Sequence, residues 1–392
     1  MKNASRSARG ILILAAMLSG SAFAEPWHPA NDNEVIEHIP AGAPRGLALT
    51  KSGTREQALA AARANISLGR RYSDPRYYGY AEAELAPWNQ KAEDANPSRE
   101  EVNRANDLDV LNAQILQFRH EFDAARNVLQ TVLKRDRDNT QAWLTLAVID
   151  QVQGDYRAAR GACGHLVTAG DMLVASACAG GVGGLNGQAD ISATLIEREL
   201  ARGDASPAPV RDWAWTVLGE IRARQGQLDA AVVALKKALE VDQDDVYARA
   251  ALADVLLDQG KPADVLVLIG DRRNADALLL RAAIAAKQSG NSEADTLRAA
   301  FAERVAEMNA RGDATHRREL ARFALEVEGD ATSALDLALQ NWAVQKEPAD
   351  SWLVLAAAKA AGKPDAAIAV RQWIIDNKLE DVKIHALMEQ LQ

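Results

Sequence analysis

The sequence predicts an all-α fold, a right-handed superhelical solenoid of antiparallel helix hairpins, and three observations carry that prediction. Large and small residues recur with a 34-residue step, so that Leu218, Gly219, Gly226 and Ala231 map onto Leu252, Ala253, Gly260 and Val265. The chain is 48% hydrophobic but only 5% aromatic, and it is rich in Ala, Leu, Glu, Arg and Gln, which favour helix and give little support to sheet. Turn glycines follow at Gly260, Gly290, Gly329 and Gly362, spaced 30, 39 and 33 residues apart, a drift that implies helices of unequal length. A single hairpin cannot bury its apolar face alone, so hairpins must stack, and a stack can grow to 392 residues without a domain break. Length divided by period gives roughly seven to nine hairpins.

Residues 1–24 read as a signal peptide. Lys2, Arg6 and Arg9 form a basic start, Ile11 to Leu18 a short apolar core, and Ala22-Phe23-Ala24 a small-x-small end, which places cleavage after Ala24. The apolar run is too short to span a membrane, and no cysteine follows the cleavage point to take a lipid. The expected location is the periplasm or the exterior. Cleavage removes three of the 45 basic residues and none of the 54 acidic ones, leaving a net charge of −12. The remaining Lys and Arg are interleaved with acids, which argues against nucleic acid and for a basic or neutral polypeptide partner.

Residues 25–52, with Pro26, Pro29, Pro40 and Pro44, read as an extended N-terminal arm. Residues 53–90 read as a capping hairpin: Thr54 and Gln57 form a capping box, and Asp74-Pro75 starts a second helix that should end near Pro87. Residues 100–392 read as the solenoid, with its best repeats at 106–139, 140–173, 212–245 and 246–270.

Within the repeat from Thr140, Trp143 falls at position 4, Leu146 and Ala147 at 7 and 8, Gly154 at 15, Tyr156 at 17 and Ala159 at 20. The repeat from Asp212 places Trp215, Leu218, Gly219, Gly226, Leu228 and Ala231 at the same offsets. Small residues at 8 and 20 let two helices approach, the glycine near 15 permits the turn, and the large residues fill the space that remains. The pattern is steric, and it resembles the tetratricopeptide repeat. The stretches DPRYYGYAEAELAPW and NWAVQKEPADSWLVL further resemble exported bacterial tetratricopeptide proteins, a resemblance that brings no activity with it.

In tetratricopeptide proteins, positions 2, 5, 9 and 12 of the first helix face a concave groove. The resemblance therefore implies that Gln141, Leu144, Val148 and Gln151, then Trp213, Thr216, Glu220 and Ala223, then Tyr247, Ala250, Asp254 and Leu257 point inward. Of these, Gln151, Trp213, Thr216, Glu220, Tyr247 and Asp254 are the candidate partner-binding residues. Trp213 and Tyr247 would stack on an extended peptide while Glu220 and Asp254 pair with its basic groups. The competing reading is that they only pack between helices. The Lys, Asn and Arg set that clamps a C-terminal carboxylate in some family members is missing at these positions.

Cys163 and Cys178 admit two readings, a disulfide suited to an exported protein or two buried thiols. A bridge would close a loop of about 15 residues and contribute about 3 kcal/mol. The glycines between 180 and 187 lack the Lys-Ser/Thr of a phosphate loop and the spacing of a dinucleotide fingerprint. They read as close-packing positions in a weakened helix. No catalytic motif, metal motif or cofactor motif stands out, so the expected protein is a noncatalytic scaffold that binds protein or peptide. An alternative is an extracytoplasmic ligand- or metal-binding accessory protein, using His28 and His38 of the arm or the cluster Tyr72, Tyr77, Tyr78 and Tyr80.

Overall fold

A computed structural model describes residues 31, 52–89, 98–169, 171–203, 206–310 and 315–391. Residues 1–24, read above as a signal peptide, and all of the segment 25–52 read as an arm except Asn31 and Ser52, including His28 and His38, lie outside the described residues. Among the described residues the chain is all helix, arranged as successive antiparallel hairpins.

The first hairpin pairs α1 (Arg55–Tyr72) with α2 (Arg76–Asn89), and the second pairs α3 (Arg99–Phe118) with α4 (Phe122–Arg135). Then follow α5 (Thr140–Val152) with α6 (Tyr156–Leu166), α7 (Met172–Gly183) with α8 (Ala189–Leu200), and α9 (Ala208–Arg224) with α10 (Leu228–Val241). The next layers are α11 (Val246–Asp258) with α12 (Pro262–Ile269) and α13 (Asp276–Ser289) with α14 (Ala294–Ala310). The stack ends with α15 (Arg317–Arg322) and its π-turn extension Phe323–Glu328 against α16 (Ala331–Trp342), α17 (Pro348–Ala360) with α18 (Ile368–Asp376), and a terminal α19 (Val382–Glu389).

Local chemistry explains the ends. Thr54 caps α1 with a reciprocal Gln57 bond, and Ser98 with Glu101 does the same for α3. The second hairpin therefore starts at Arg99, ahead of the sequence boundary at 106, and α9 starts at Ala208 rather than 212. Helix α2 runs through Pro87 to Asn89, because a proline in the last turn removes a single helical hydrogen bond. Gly154, Gly226 and Gly260 each turn their hairpin with positive φ, the conformation that side chains resist. The equivalent turn between α3 and α4 holds His120 at φ 61°, where no glycine marks the sequence.

Close approach is the purpose of the small positions. A Cβ at Gly219 would stand 2.6 Å from Leu235, and one at Gly184 would stand 2.6 Å from Ile221. The glycine-rich α7 is tightly packed for the same reason: Cβ atoms at Gly180 and Gly183 would press on Ile196 and Ser192. Trp143 packs on the core, stacks on His165 at 3.8 Å and donates its Nε1–H to the Arg137 carbonyl. Trp215 packs against the α9 core cluster. In the first hairpin, Tyr77 and Tyr78 are buried and Tyr78 stacks on Phe118 at 3.7 Å, so this part of the tyrosine cluster joins the hairpin to α3.

The stack curls until distant layers meet. Arg71 at the end of α1 bonds Asp242 at 2.6 Å and Asp244 at 3.4 Å, across 171 and 173 residues. The C-terminal segment lies against the hairpin turns of the middle layers. Lys346 N–H donates to the Val152 carbonyl at 2.7 Å, and Glu380 N–H donates to the Leu185 carbonyl at 2.8 Å. Lys383 pairs with Asp258 at 2.5 Å, and Trp373 meets Tyr156 edge to face while filling the space beside Gly154.

A disulfide joins Cys163 on α6 to Cys178 on α7, with the Cα atoms 5.6 Å apart. It ties one layer to the next beside the glycines that give α7 little helix propensity of its own. Replacing both cysteines with serine should cost about 3 kcal/mol of unfolding free energy. Chemical denaturation of the oxidised protein and the double variant measures this; equal midpoints would show that the bridge adds nothing.

Candidate functional site

Curvature leaves a central cavity of about 1740 Å³, walled by the odd-numbered helices from α1 to α17. All twelve positions singled out as inward-facing, four each on α5, α9 and α11, line it. The reason is geometric: residues spaced three or four apart share one helix face, and the stacking of layers turns that face inward. The six candidate partner-binding residues thus share one wall. Trp143, Leu146, Tyr156, Ala159, Trp215, Gly219, Gly226 and Ala231 do not line the cavity, whereas Ala147, also placed among the packing positions, does.

The wall differs from the acidic groove expected from α5, α9 and α11 alone. Asp254 is not free to meet a partner's cation: Arg281 bonds it at 2.5 Å and Arg322 at 2.8 Å. Burial works to raise the Asp254 carboxyl, but the two guanidinium groups outweigh it and hold it below the usual range. Arg318 is satisfied in the same way, by Asp350 at 2.6 and 2.8 Å and by Glu347 at 2.5 Å. Sequence reading missed these arginines because the repeat phase drifts after Gly260. The signal was present as Arg318 and Arg322, one turn apart on one face.

Glu220 accepts a 2.5 Å hydrogen bond from the Tyr247 hydroxyl. Burial raises the Glu220 carboxyl, and the neighbouring Glu220 charge, followed by burial, pushes the Tyr247 phenol well above its ordinary value. Tyr247 nevertheless keeps 55% of its surface open to the cavity. Trp213 is half-buried, with its ring packed against two core clusters and one side on the cavity. It therefore packs between helices and also presents a side to the cavity.

Two further polar groups on α9 are under-used. Asp212 is 7% exposed and Thr216 4% exposed, and neither Asp212 Oδ1 nor Thr216 Oγ1 meets a hydrogen-bond partner. Burial, then the neighbouring Asp245 carboxyl, pushes Asp212 up to about 8. Carboxylates outnumber Arg and Lys among the residues lining the cavity as a whole. Among the described residues no group of three or more His, Cys, Asp or Glu is placed to hold a metal ion, and no helix is long and apolar enough to cross a membrane.

The histidines, scattered in sequence, are partly gathered in space. His120 Nε2 is 2.8 Å from Gln345 Nε2, and His120 feels the charges of Arg318 and His316. Burial first, then Arg318, lowers it to about 4. An unfolded histidine takes its proton near pH 6.5, so the unfolded state gains protons first as pH falls. Stability should therefore drop between about pH 6.5 and pH 4 by up to about 3 kcal/mol from this residue, with no further loss below. His120→Asn keeps a residue tolerant of positive φ and removes the titration. The difference in unfolding free energy between wild type and variant should change across that window, and a difference independent of pH would refute the assignment.

These features define a helical-repeat protein built around a central cavity. Residues 219–260, which span α9 to α11 of the solenoid, match the family described as TPR repeat. No curated protein matches the chain. Among solved structures it is similar to PilW, described as a widely conserved type IV pilus biogenesis factor, at 21% identity over 50% of this chain and 91% of that one, TM-score 0.41. It is also similar to yeast Tom70, at 11% identity over 86% and 81% of the two chains, TM-score 0.43. The Cut9–Hcn1 hetero-tetramer of APC/C matches at 12% identity over 87% and 84%, TM-score 0.40.

Proposed function

We propose that the protein is a noncatalytic scaffold of the cell envelope or exterior that holds an extended polypeptide segment in its central cavity. Tetratricopeptide repeats make it a protein-interaction scaffold in the coarse sense. The observation that supports a cavity-bound partner is the convergence of all twelve inward positions on one continuous wall. That wall offers an aromatic edge at Trp213, an open phenol at Tyr247 and unspent acceptors on α9. Peptide recognition by repeat proteins draws on this mixture: apolar and aromatic contacts supply affinity, and placed polar groups fix register. The excess of carboxylates favours a segment carrying basic residues.

Export is supported by the three-part leader ending at Ala24 and by the Cys163–Cys178 bridge, a bond that persists in oxidising compartments. Partner recovery from a periplasmic extract tests both parts. The mature protein should begin at Glu25 and recover a partner that the folded Trp213→Ala/Glu220→Lys variant loses by about tenfold or more. Undiminished recovery by that variant would remove the cavity wall from the binding site.

A further inference from the structure

The wall of α9 carries a row of buried polar oxygens that no arginine or lysine of the wall is bonded to. Asp212 and Thr216 stand one turn apart on the same helix face, and Glu220 continues the row by another turn. Asp212 Oδ1 and Thr216 Oγ1 are buried without a partner, an arrangement that costs stability unless something fills it. Asp245, the N-cap of α11, brings a second carboxyl against Asp212, within reach of a hydrogen bond from the protonated Asp212 carboxyl. Its own Oδ1 is partly used, since it accepts the Ala248 N–H at 2.8 Å as the cap of α11. Arg71, the cation whose charge acts on Asp212, is bonded to Asp242 and Asp244 instead. Elsewhere on the same wall the protein neutralises its carboxylates, as Arg281 and Arg322 do for Asp254. At Asp212 it does not.

We propose that Asp212, Thr216 and Asp245 form a subsite for the arginine or lysine side chain of a peptide lying along α9, with Glu220 and Trp213 receiving the residues that follow. This rests on the reading of the cavity as a peptide site and gives that site its chemical preference. The row from Asp212 to Glu220 rises roughly 12 Å along the helix, a span suited to several donors of an extended chain rather than to one ion. A guanidinium supplies a fork of N–H donors for a carboxylate, and its charge relieves the repulsion between Asp212 and Asp245. In the free protein a proton relieves that repulsion, as the raised Asp212 carboxyl shows. An incoming cation displaces that proton.

A calorimetric titration of the full chain with a short serine/alanine peptide containing one central arginine tests this, beside the same peptide with citrulline in its place. The arginine peptide should bind about tenfold tighter or more. At neutral pH it should also release protons, seen as an apparent enthalpy that changes with the ionisation heat of the buffer. The groups that set this titration are Asp212 itself, Asp245 and Asp242 between α10 and α11, and Arg71 on α1; Asp244 pairs with Arg71, and Arg249 on α11 faces Asp244 and Asp245.

Asp212→Asn and Asp245→Asn should each abolish the arginine preference and the proton release. Asp212→Asn should fold with an unchanged or higher thermal midpoint, since it removes a buried carboxyl that lacks a donor. Equal binding of the two peptides, or an arginine preference that survives in a folded Asp212→Asn, would overturn the subsite. If neither peptide binds, the subsite is likewise overturned. The reading of the cavity as the partner site is decided separately, by partner recovery with Trp213→Ala/Glu220→Lys.

Discussion

The closure of the stack on itself governs the rest of the structure. A row of hairpins alone would present an open, shallow groove whose charged residues face water. Here Arg71 reaches the α10–α11 loop, while Lys346, Trp373, Glu380 and Lys383 bind the turns of the middle layers. These contacts join residues more than a hundred positions apart, so they add little until the layers between them have assembled. Once made, they turn the groove into a walled cavity and bury groups such as Asp254, Arg318 and His120 that a looser stack would leave solvated.

The two sides of that cavity are finished differently. Around α13, α15 and α17 the charges are paired within the protein, Arg281 and Arg322 with Asp254, and Arg318 with Asp350 and Glu347. Such pairs hold layers in register, because removing one partner leaves a buried charge uncompensated. Along α9 the polar groups Asp212 and Thr216 are left with acceptors to spare. The contrast divides the wall into a part whose charges are paired across layers and a part whose polar atoms are left unpaired.

The helix pairs were legible in the sequence because they follow from sterics repeated every 34 residues, and the inward positions because the resemblance to tetratricopeptide repeats implies them. Gly219 against Leu235 and Gly154 at its turn are local requirements, and a local requirement leaves a local mark. What joins different layers leaves no mark that names its partner. Nothing near Asp254 announces Arg322, which lies in a region where the phase of the repeat has drifted, and nothing near Arg71 announces Asp242. The turn role of His120, visible in the sequence only as one of several scattered histidines, was hidden for a related reason: it fills a turn where the neighbouring repeats use glycine. The tyrosines near residue 78 were visible as a cluster, but only the stack of Tyr78 on Phe118 shows what that part of the cluster does.

Closure can be tested on the unaltered chain by zero-length carbodiimide coupling of amines to carboxylates, followed by peptide mass mapping of the monomer. The structure predicts a Lys383–Asp258 link, from an ion pair 2.5 Å long between residues 125 apart in sequence, alongside the local Lys237–Glu240 link. Recovery of the local link without Lys383–Asp258 would mean that the stack stays open and the walled cavity does not form.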